Sequence, residues 1–214
     1  MKKKTVLCVM ITLAILAGCA RKQAEPTTAE GFLERGRTYY NSDDYDLAIA
    51  DFDAALKINP DFTEALLGRG QAYNKKGDYD QAIENYTALL RIMPDYTDAL
   101  IVRGYLYYQK GEYDRAIEDY TAVLRILPND ADALLSRAEV YYYKGDYDLA
   151  IADLTAVLEI QPDNVTTLIQ RGYVYGGKYD FDHAIADFEA ALKIEPDNAQ
   201  AKQYLETVQQ ARGR

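Results

Sequence analysis

Five prolines, Pro60, Pro94, Pro128, Pro162 and Pro196, stand 34 residues apart in a chain of 214. A fixed period of roughly 20–50 residues means one supersecondary unit used repeatedly, and such a unit buries its apolar face only by stacking on its neighbours. Few folds survive that constraint. Registered on the prolines, other columns line up: Gly36, Gly70, Gly104, Ala138 and Gly172; Tyr39, Tyr73, Tyr107, Tyr141 and Tyr175; Ala48, Ala82, Ala116, Ala150 and Ala184; and, four residues later, Phe52, Tyr86, Tyr120, Leu154 and Phe188. The sixth proline, Pro26, falls outside the series.

Within a copy the apolar residues follow helical spacing. Ala116, Ile117, Tyr120, Val123, Leu124 and Leu127 make one face of a helix, and each copy holds two such helices. Gly77, Gly111 and Gly145 stand between them, with Asp43 and Tyr179 at that place in the first and fifth copies. Proline followed by aspartate or asparagine separates one copy from the next. Asp61 three residues before Glu64, and Asp95 before Asp98, predict capping boxes. Gly104 and Ala116 predict a close approach of the two backbones where the helices cross.

Glycine, tyrosine, alanine, aromatic and proline in that order over 34 positions resemble the tetratricopeptide repeat, with the usual tryptophan column held by Phe32, Leu66, Leu100, Leu134 and Leu168. The resemblance implies an all-α fold, a right-handed α-solenoid of five helix-turn-helix repeats at 29–62, 63–96, 97–130, 131–164 and 165–198. Residues 199–214 read as a capping helix and tail, in which Leu205 and Val208 face the fifth repeat.

The N-terminus, MKKKTVLCVMITLAILAGC, has a basic start and an apolar run from Val6 to Ala17. That run is shorter than the ~20 residues a spanning helix needs, so it predicts an export signal. Leu16-Ala17-Gly18-Cys19 resembles the lipobox of bacterial lipoproteins. The resemblance implies a signal peptide at 1–18, cleavage before Cys19, a diacylglyceryl group on its sulfur, and a lipidated linker at 19–28. Ala20 after the lipid cysteine, by the sorting rule of diderm bacteria, implies the outer membrane, facing the periplasm. Cys8 lies in the leader and the lipid consumes Cys19, so no thiol is left for a disulfide or a metal. Without Lys2, Lys3 and Lys4 the chain carries 21 basic against 34 acidic residues, a formal charge of −13. Such a surface repels nucleic acid, which is excluded as a ligand.

Four arginine–aspartate pairs recur at one spacing: Arg35 with Asp51, Arg103 with Asp119, Arg137 with Asp153, and Arg171 with Asp187; Arg69 faces Asn85. Catalysis needs one special site, so an arrangement repeated in every copy predicts structural ion pairs and no enzyme. His183 lacks companions at ligand spacing, and no metal or cofactor is expected. Gly176-Gly177 has no Lys-Ser/Thr after it and is no phosphate loop; the pair reads as a loosened turn in the fifth repeat. Asp46, Asp80, Asp114, Asp148 and Asp182 recur early in the second helix, where negative charge is favourable and solvated.

What remains is display. Of the twenty tyrosines, eleven occupy core columns. The resemblance implies that certain first-helix positions line a concave groove, and six of the other nine tyrosines fall there: Tyr40, Tyr105, Tyr108, Tyr142, Tyr143 and Tyr173. Tyrosine is enriched in binding hot spots. Asp98 and Asp132 lie at the groove's edge, so the expected partner is a protein or peptide with basic residues and aromatic or apolar anchors. Leu33, Leu67, Ile101, Leu135 and Ile169 stand where chaperone-tail binders begin a carboxylate clamp with lysine, so that specificity is not expected. The leading expectation is a membrane-anchored scaffold or adaptor of the bacterial envelope. The alternative is a periplasmic ligand-handling component working with a transporter's binding protein, which a closed apolar cavity would favour.

Overall fold

The computed structural model describes residues 25–213; the leader and Cys19 lie outside the described residues. Eleven helices follow one another: α1 Ala29–Asn41, α2 Tyr45–Ile58, α3 Thr63–Lys76, α4 Tyr79–Ile92, α5 Thr97–Gln109, α6 Tyr113–Ile126, α7 Ala131–Lys144, α8 Tyr147–Ile160, α9 Val165–Gly177, α10 Phe181–Ile194 and α11 Ala199–Arg212. Each packs on the next, and the first helices of neighbouring pairs also touch, α1 with α3, α5 with α7 and α9 with α11. The architecture is an α-solenoid of helix pairs closed by a last helix.

The turns inside the pairs share one backbone conformation. Gly77, Gly111 and Gly145 have φ of 78°, 73° and 90°, and Asp43 and Tyr179 adopt the same left-handed region at 61° and 65° despite their side chains. Gly176 and Gly177 therefore do not make the fifth turn. They are the last residues of α9, and Tyr179 makes it.

The capping boxes at Asp61 and Asp95 do not form either. The residue that caps each first helix lies one position later, in the column Thr28, Phe62, Tyr96, Asp130, Asn164 and Asn198. Thr28, Asp130, Asn164 and Asn198 accept the amide three residues on, at 2.8–3.1 Å. Phe62 and Tyr96 cap nothing and instead pack against the core. Two caps are exchanged for half-buried rings.

Where the helices cross, the glycines make room for rings. A side-chain carbon at Gly36, Gly104 or Gly172 would come within 2.7, 3.2 and 2.8 Å of Phe52, Tyr120 and Phe188. The close approach is thus glycine to an aromatic ring on the second helix, and Ala116 is not what Gly104 faces. The two columns change together: Ala138 replaces glycine in the one repeat where Leu154 replaces the ring. This swap interrupts the core. One buried cluster runs from α1 to α7 and another from the end of α8 to α11, while Ala138, Ala150, Leu154 and Val174 form a small cluster between them.

Two sets of polar contacts tie repeat to repeat. Arg103, Arg137 and Arg171 each grip an aspartate of their own repeat through Nε and Nη2 at 2.7–2.9 Å and donate from Nη1 to Thr87, Thr121 or Thr155 of the preceding repeat at 2.9–3.1 Å. Arg35 grips Asp51 in the same way and turns its free arm to Glu25; Arg69 joins Asn85 to Asp53. Asp51, Asp119, Asp153 and Asp187 are buried. On the outside, Lys76, Lys110, Lys144 and Lys178 pair with Asp46, Asp80, Asp114 and Asp148 of the repeat before, and Arg212 of α11 pairs with Asp182 at 3.0 Å. The recurring aspartates are exposed as expected, but they are partnered.

A candidate partner-binding groove at the C-terminal repeats

The same register that turns one tyrosine of each first helix toward the core, with Tyr107 buried and Tyr39, Tyr73, Tyr141 and Tyr175 half-buried, leaves its neighbours on the open face. α5, α7, α9 and α11 carry rings there that meet in sequence: Tyr108 to Tyr143 at 5.6 Å, Tyr143 to Tyr142 at 5.4 Å, Tyr142 to Tyr173 at 5.5 Å, and Tyr173 to Tyr204 at 5.3 Å, between centroids. All these pairs are tilted or edge-on, the arrangements favoured by ring quadrupoles. Tyr204 ends the row against the buried Phe188 at 5.8 Å.

Of the six tyrosines expected in the groove, Tyr108, Tyr142, Tyr143 and Tyr173 are brought together. Tyr40 lies apart, edge-on to Tyr45. Tyr105 is exposed and makes no ring contact among the described residues, and Asp98 and Asp132 lie exposed in the first turns of α5 and α7. Tyr204 was missed from sequence. Its signal was the 34-residue register carried one step further, which makes α11 a sixth first helix with its inner face toward the groove. None of the arginine–aspartate pairs lines either pocket described next.

Two open pockets flank the row. The first, of about 230 Å³, is lined by Leu135, Ala138, Glu139, Tyr142, Tyr173 and Tyr204 among others, with Leu154 at its floor. It opens where Leu154 is smaller than the ring of the other repeats. The second, of about 490 Å³, lies between α9 and α11 beside Gly176, Gly177, Tyr179 and Phe181. It opens where α9 has no side chains. Both pockets sit at departures of the repeat from its own pattern, and the places where a sequence breaks its own local rules are where function is expected.

Among the described residues Glu139 is the one charged residue lining the two pockets, and no lysine, arginine or histidine lines either. Tyr108 donates to Glu139 at 2.9 Å, and burial, then that hydrogen bond, push its hydroxyl above the ordinary tyrosine range. Tyr142 is pushed up to about 12, first by its hydrogen bond with Tyr173 and then by burial. Tyr108 and Tyr142 therefore keep their protons at physiological pH, and the row offers rings and hydroxyls beside a carboxylate. That combination attracts cations over ring faces and accepts apolar contacts. His183 lies outside it, stacked on Tyr175 and bonded to Asp180 at 2.9 Å. Among the described residues no group of three or more His, Cys, Asp or Glu is placed to hold a metal, and no helix is long and apolar enough to cross a membrane.

Comparisons agree with this architecture. Tetratricopeptide repeat family models match residues 33–97, 101–165 and 165–198, well over half of the chain. Among solved structures, a crystal structure of MamA protein superposes with a TM-score of 0.73 at 26% identity, covering 80% of this chain and 94% of that one. YrrB, described as a TPR protein with an unusual peptide-binding site, gives 0.71 at 21% identity, covering 82% and 90%. MamA from Desulfovibrio magneticus RS-1 gives 0.71 at 18%, covering 82% and 99%. No curated protein matches the chain. With its period, helix pairs, ring-filled crossings and family matches in agreement, the chain belongs to the tetratricopeptide repeat family.

Proposed function

We propose that the chain is a lipid-anchored scaffold of the bacterial cell envelope that holds a partner protein or peptide along the tyrosine row of repeats 3 to 5 and α11. The observation that carries the reading is that row. Rings from four helices, exposed at Tyr143 and Tyr173 and half-buried at Tyr108, Tyr142 and Tyr204, run past two open pockets on a chain of net charge −10, with one carboxylate and no cation among the described residues that line those pockets. Tyrosine supplies large contact area at small entropic cost, and the open pockets suit an extended or helical segment better than an enclosed small molecule. Support for the anchor comes from the leader alone, Leu16-Ala17-Gly18-Cys19, and Ala20 after it favours the outer membrane, facing the periplasm, by the sorting rule of diderm bacteria.

Tyr143 and Tyr173 are about half exposed, so replacing both with alanine removes groove surface and little core. The double variant is expected to lower partner capture in cells at least tenfold, measured by a photocrosslinker placed at Gln170, while Tyr105→Ala leaves capture unchanged and circular dichroism reports folded helix in both. Capture that survives the double variant, or depends on Tyr105 instead, would move the site. The anchor has its own readout. Cys19→Ser should abolish metabolic labelling with palmitate and release the chain from the membrane fraction, and retention there without label would refute the lipid.

A further inference from the structure

The repeats contain a template for what is missing at Gly176. In three of them a tyrosine near the end of the first helix packs against the aromatic residue that opens the second helix, five residues on. Tyr40 meets Tyr45 at 5.6 Å, Tyr108 meets Tyr113 at 6.2 Å and Tyr142 meets Tyr147 at 5.6 Å. Repeat 2 places Asn74 opposite Tyr79. In repeat 5 the equivalent position is Gly176, so Phe181 has no ring from α9 against it, and the next residue, a tyrosine at 143, is Gly177. Among the described residues nothing fills the space in their stead. A side-chain carbon at Gly176 would meet only Val208, at 3.5 Å, and one at Gly177 only Tyr142, at 3.8 Å. Opposite, on α11, the slot is lined by Gln203, Tyr204, Thr207, Val208 and Ala211.

Tyr179 adds an independent observation. It lines the slot, is 81% exposed, and touches Phe181 edge-on at 6.1 Å. Its backbone holds φ of 65° in the turn where three repeats use glycine and the first uses Asp43.

We infer that the partner inserts one aromatic side chain into the slot between α9 and α11, where it takes the place of the tyrosine that Gly176 lacks and packs on Phe181 beneath Tyr179. This rests on the groove reading above and deepens it: the partner segment carries a Tyr, Phe or Trp anchor with basic neighbours. The ring is dictated by the vacated position and the aromatic lining. Basic neighbours are dictated by Glu139, by the lack of any cation in either pocket, and by the net charge of −10. A slot of about 490 Å³ is roomy enough for any of the three rings and part of the segment's backbone.

The chain contains no tryptophan, so a tryptophan probe can be excited alone. The full chain is titrated with acetyl-Lys-Trp-Lys-amide, acetyl-Glu-Trp-Glu-amide and N-acetyltryptophanamide, reading probe fluorescence anisotropy. The basic peptide is expected to bind saturably and at least tenfold more tightly than the acidic one, and Gly176→Tyr, which fills the slot from within, is expected to weaken it at least tenfold. No saturable binding, or equal binding by Gly176→Tyr, would overturn the slot. Equal affinity for the isolated ring and the basic peptide would overturn its assignment to a protein partner. Should Gly176→Tyr fail to fold, amide chemical shifts of the wild-type chain decide: the largest changes at Gly176, Gly177 and Phe181 support the slot, and changes centred elsewhere refute it. Photocrosslinking at Gln170 reads the groove separately, so a failed slot leaves the groove reading to its own test.

Discussion

At the residue scale, Arg103 is held by two elements at once. It makes a fork of two bonds to Asp119 at 2.7 and 2.9 Å and a third bond back to Thr87 at 3.0 Å. Burial keeps the Asp119 carboxyl above its ordinary range even though Arg103 pulls it down, while, against its own burial, Arg103 is held above its ordinary range by that carboxylate, so desolvation offsets much of what the pairing returns. The pair therefore specifies geometry more than it adds stability. Arg103→Leu is expected to lower stability by about 1–3 kcal/mol, because it leaves Asp119 buried without a partner. Arg103→Leu with Asp119→Leu should recover most of that loss. Urea midpoints measure both, and a double variant less stable than the single would mean that the pair is a net stabiliser. The Arg–Asp spacing was legible in the chain because it lies within one repeat. Thr87 was not, since nothing local tells which residue of the preceding repeat the free arm of an arginine reaches.

At the element scale, each helix pair carries its own stop and start signals, but the signals differ in kind. Gly77, Gly111 and Gly145 were readable as turns, and Asp43 and Tyr179 at equivalent positions are forced into the same left-handed backbone by the helices on either side. The first-helix caps misled by one residue. An aspartate three positions before an acid looks like a capping box, yet the chain enters α3 and α5 through Phe62 and Tyr96, whose rings gain more by packing than a carboxylate gains by capping there. Asp130→Ala and Asn164→Ala should each cost about 1 kcal/mol. Asp61→Ala and Asp95→Ala should stay within about 0.5 kcal/mol of the parent. Chemical denaturation of the four variants decides, and equal losses at all four would restore the boxes.

At the scale of the whole molecule, the stack is tied by contacts that each repeat makes with the one before. The exposed Lys–Asp pairs contribute little individually, about 0–1 kcal/mol, but they run in register along the solenoid and Arg212 lets α11 join it as a sixth first helix. The tyrosines set the alkaline limit. Tyr120 and Tyr142 are pushed up to about 12, Tyr120 chiefly by burial, from an ordinary value of about 10. Unfolded tyrosine therefore loses its proton first as pH rises. The stability these hydroxyls contribute is complete below about pH 10 and is lost as the pH climbs toward 12. Thermal midpoints should fall between pH 9.5 and about 11.5, and Tyr120→Phe with Tyr142→Phe should shrink the fall. An unchanged difference would place the alkaline sensitivity in other groups.

The chain by itself determined its period, its helix pairs and the place of its turns, because every one of those signals lies within 34 residues and is written several times over. A local signal repeated in register corrects its own exceptions, as Ala138 with Leu154 shows. Only the tertiary structure decided which tyrosines share a surface, that Tyr204 belongs with them, that each arginine reaches back one repeat, and that two pockets open at Leu154 and Gly176. Those outcomes depend on the angle and offset at which successive helices pack. A missing side chain becomes a pocket only when the helices around it are held apart by the neighbours that remain.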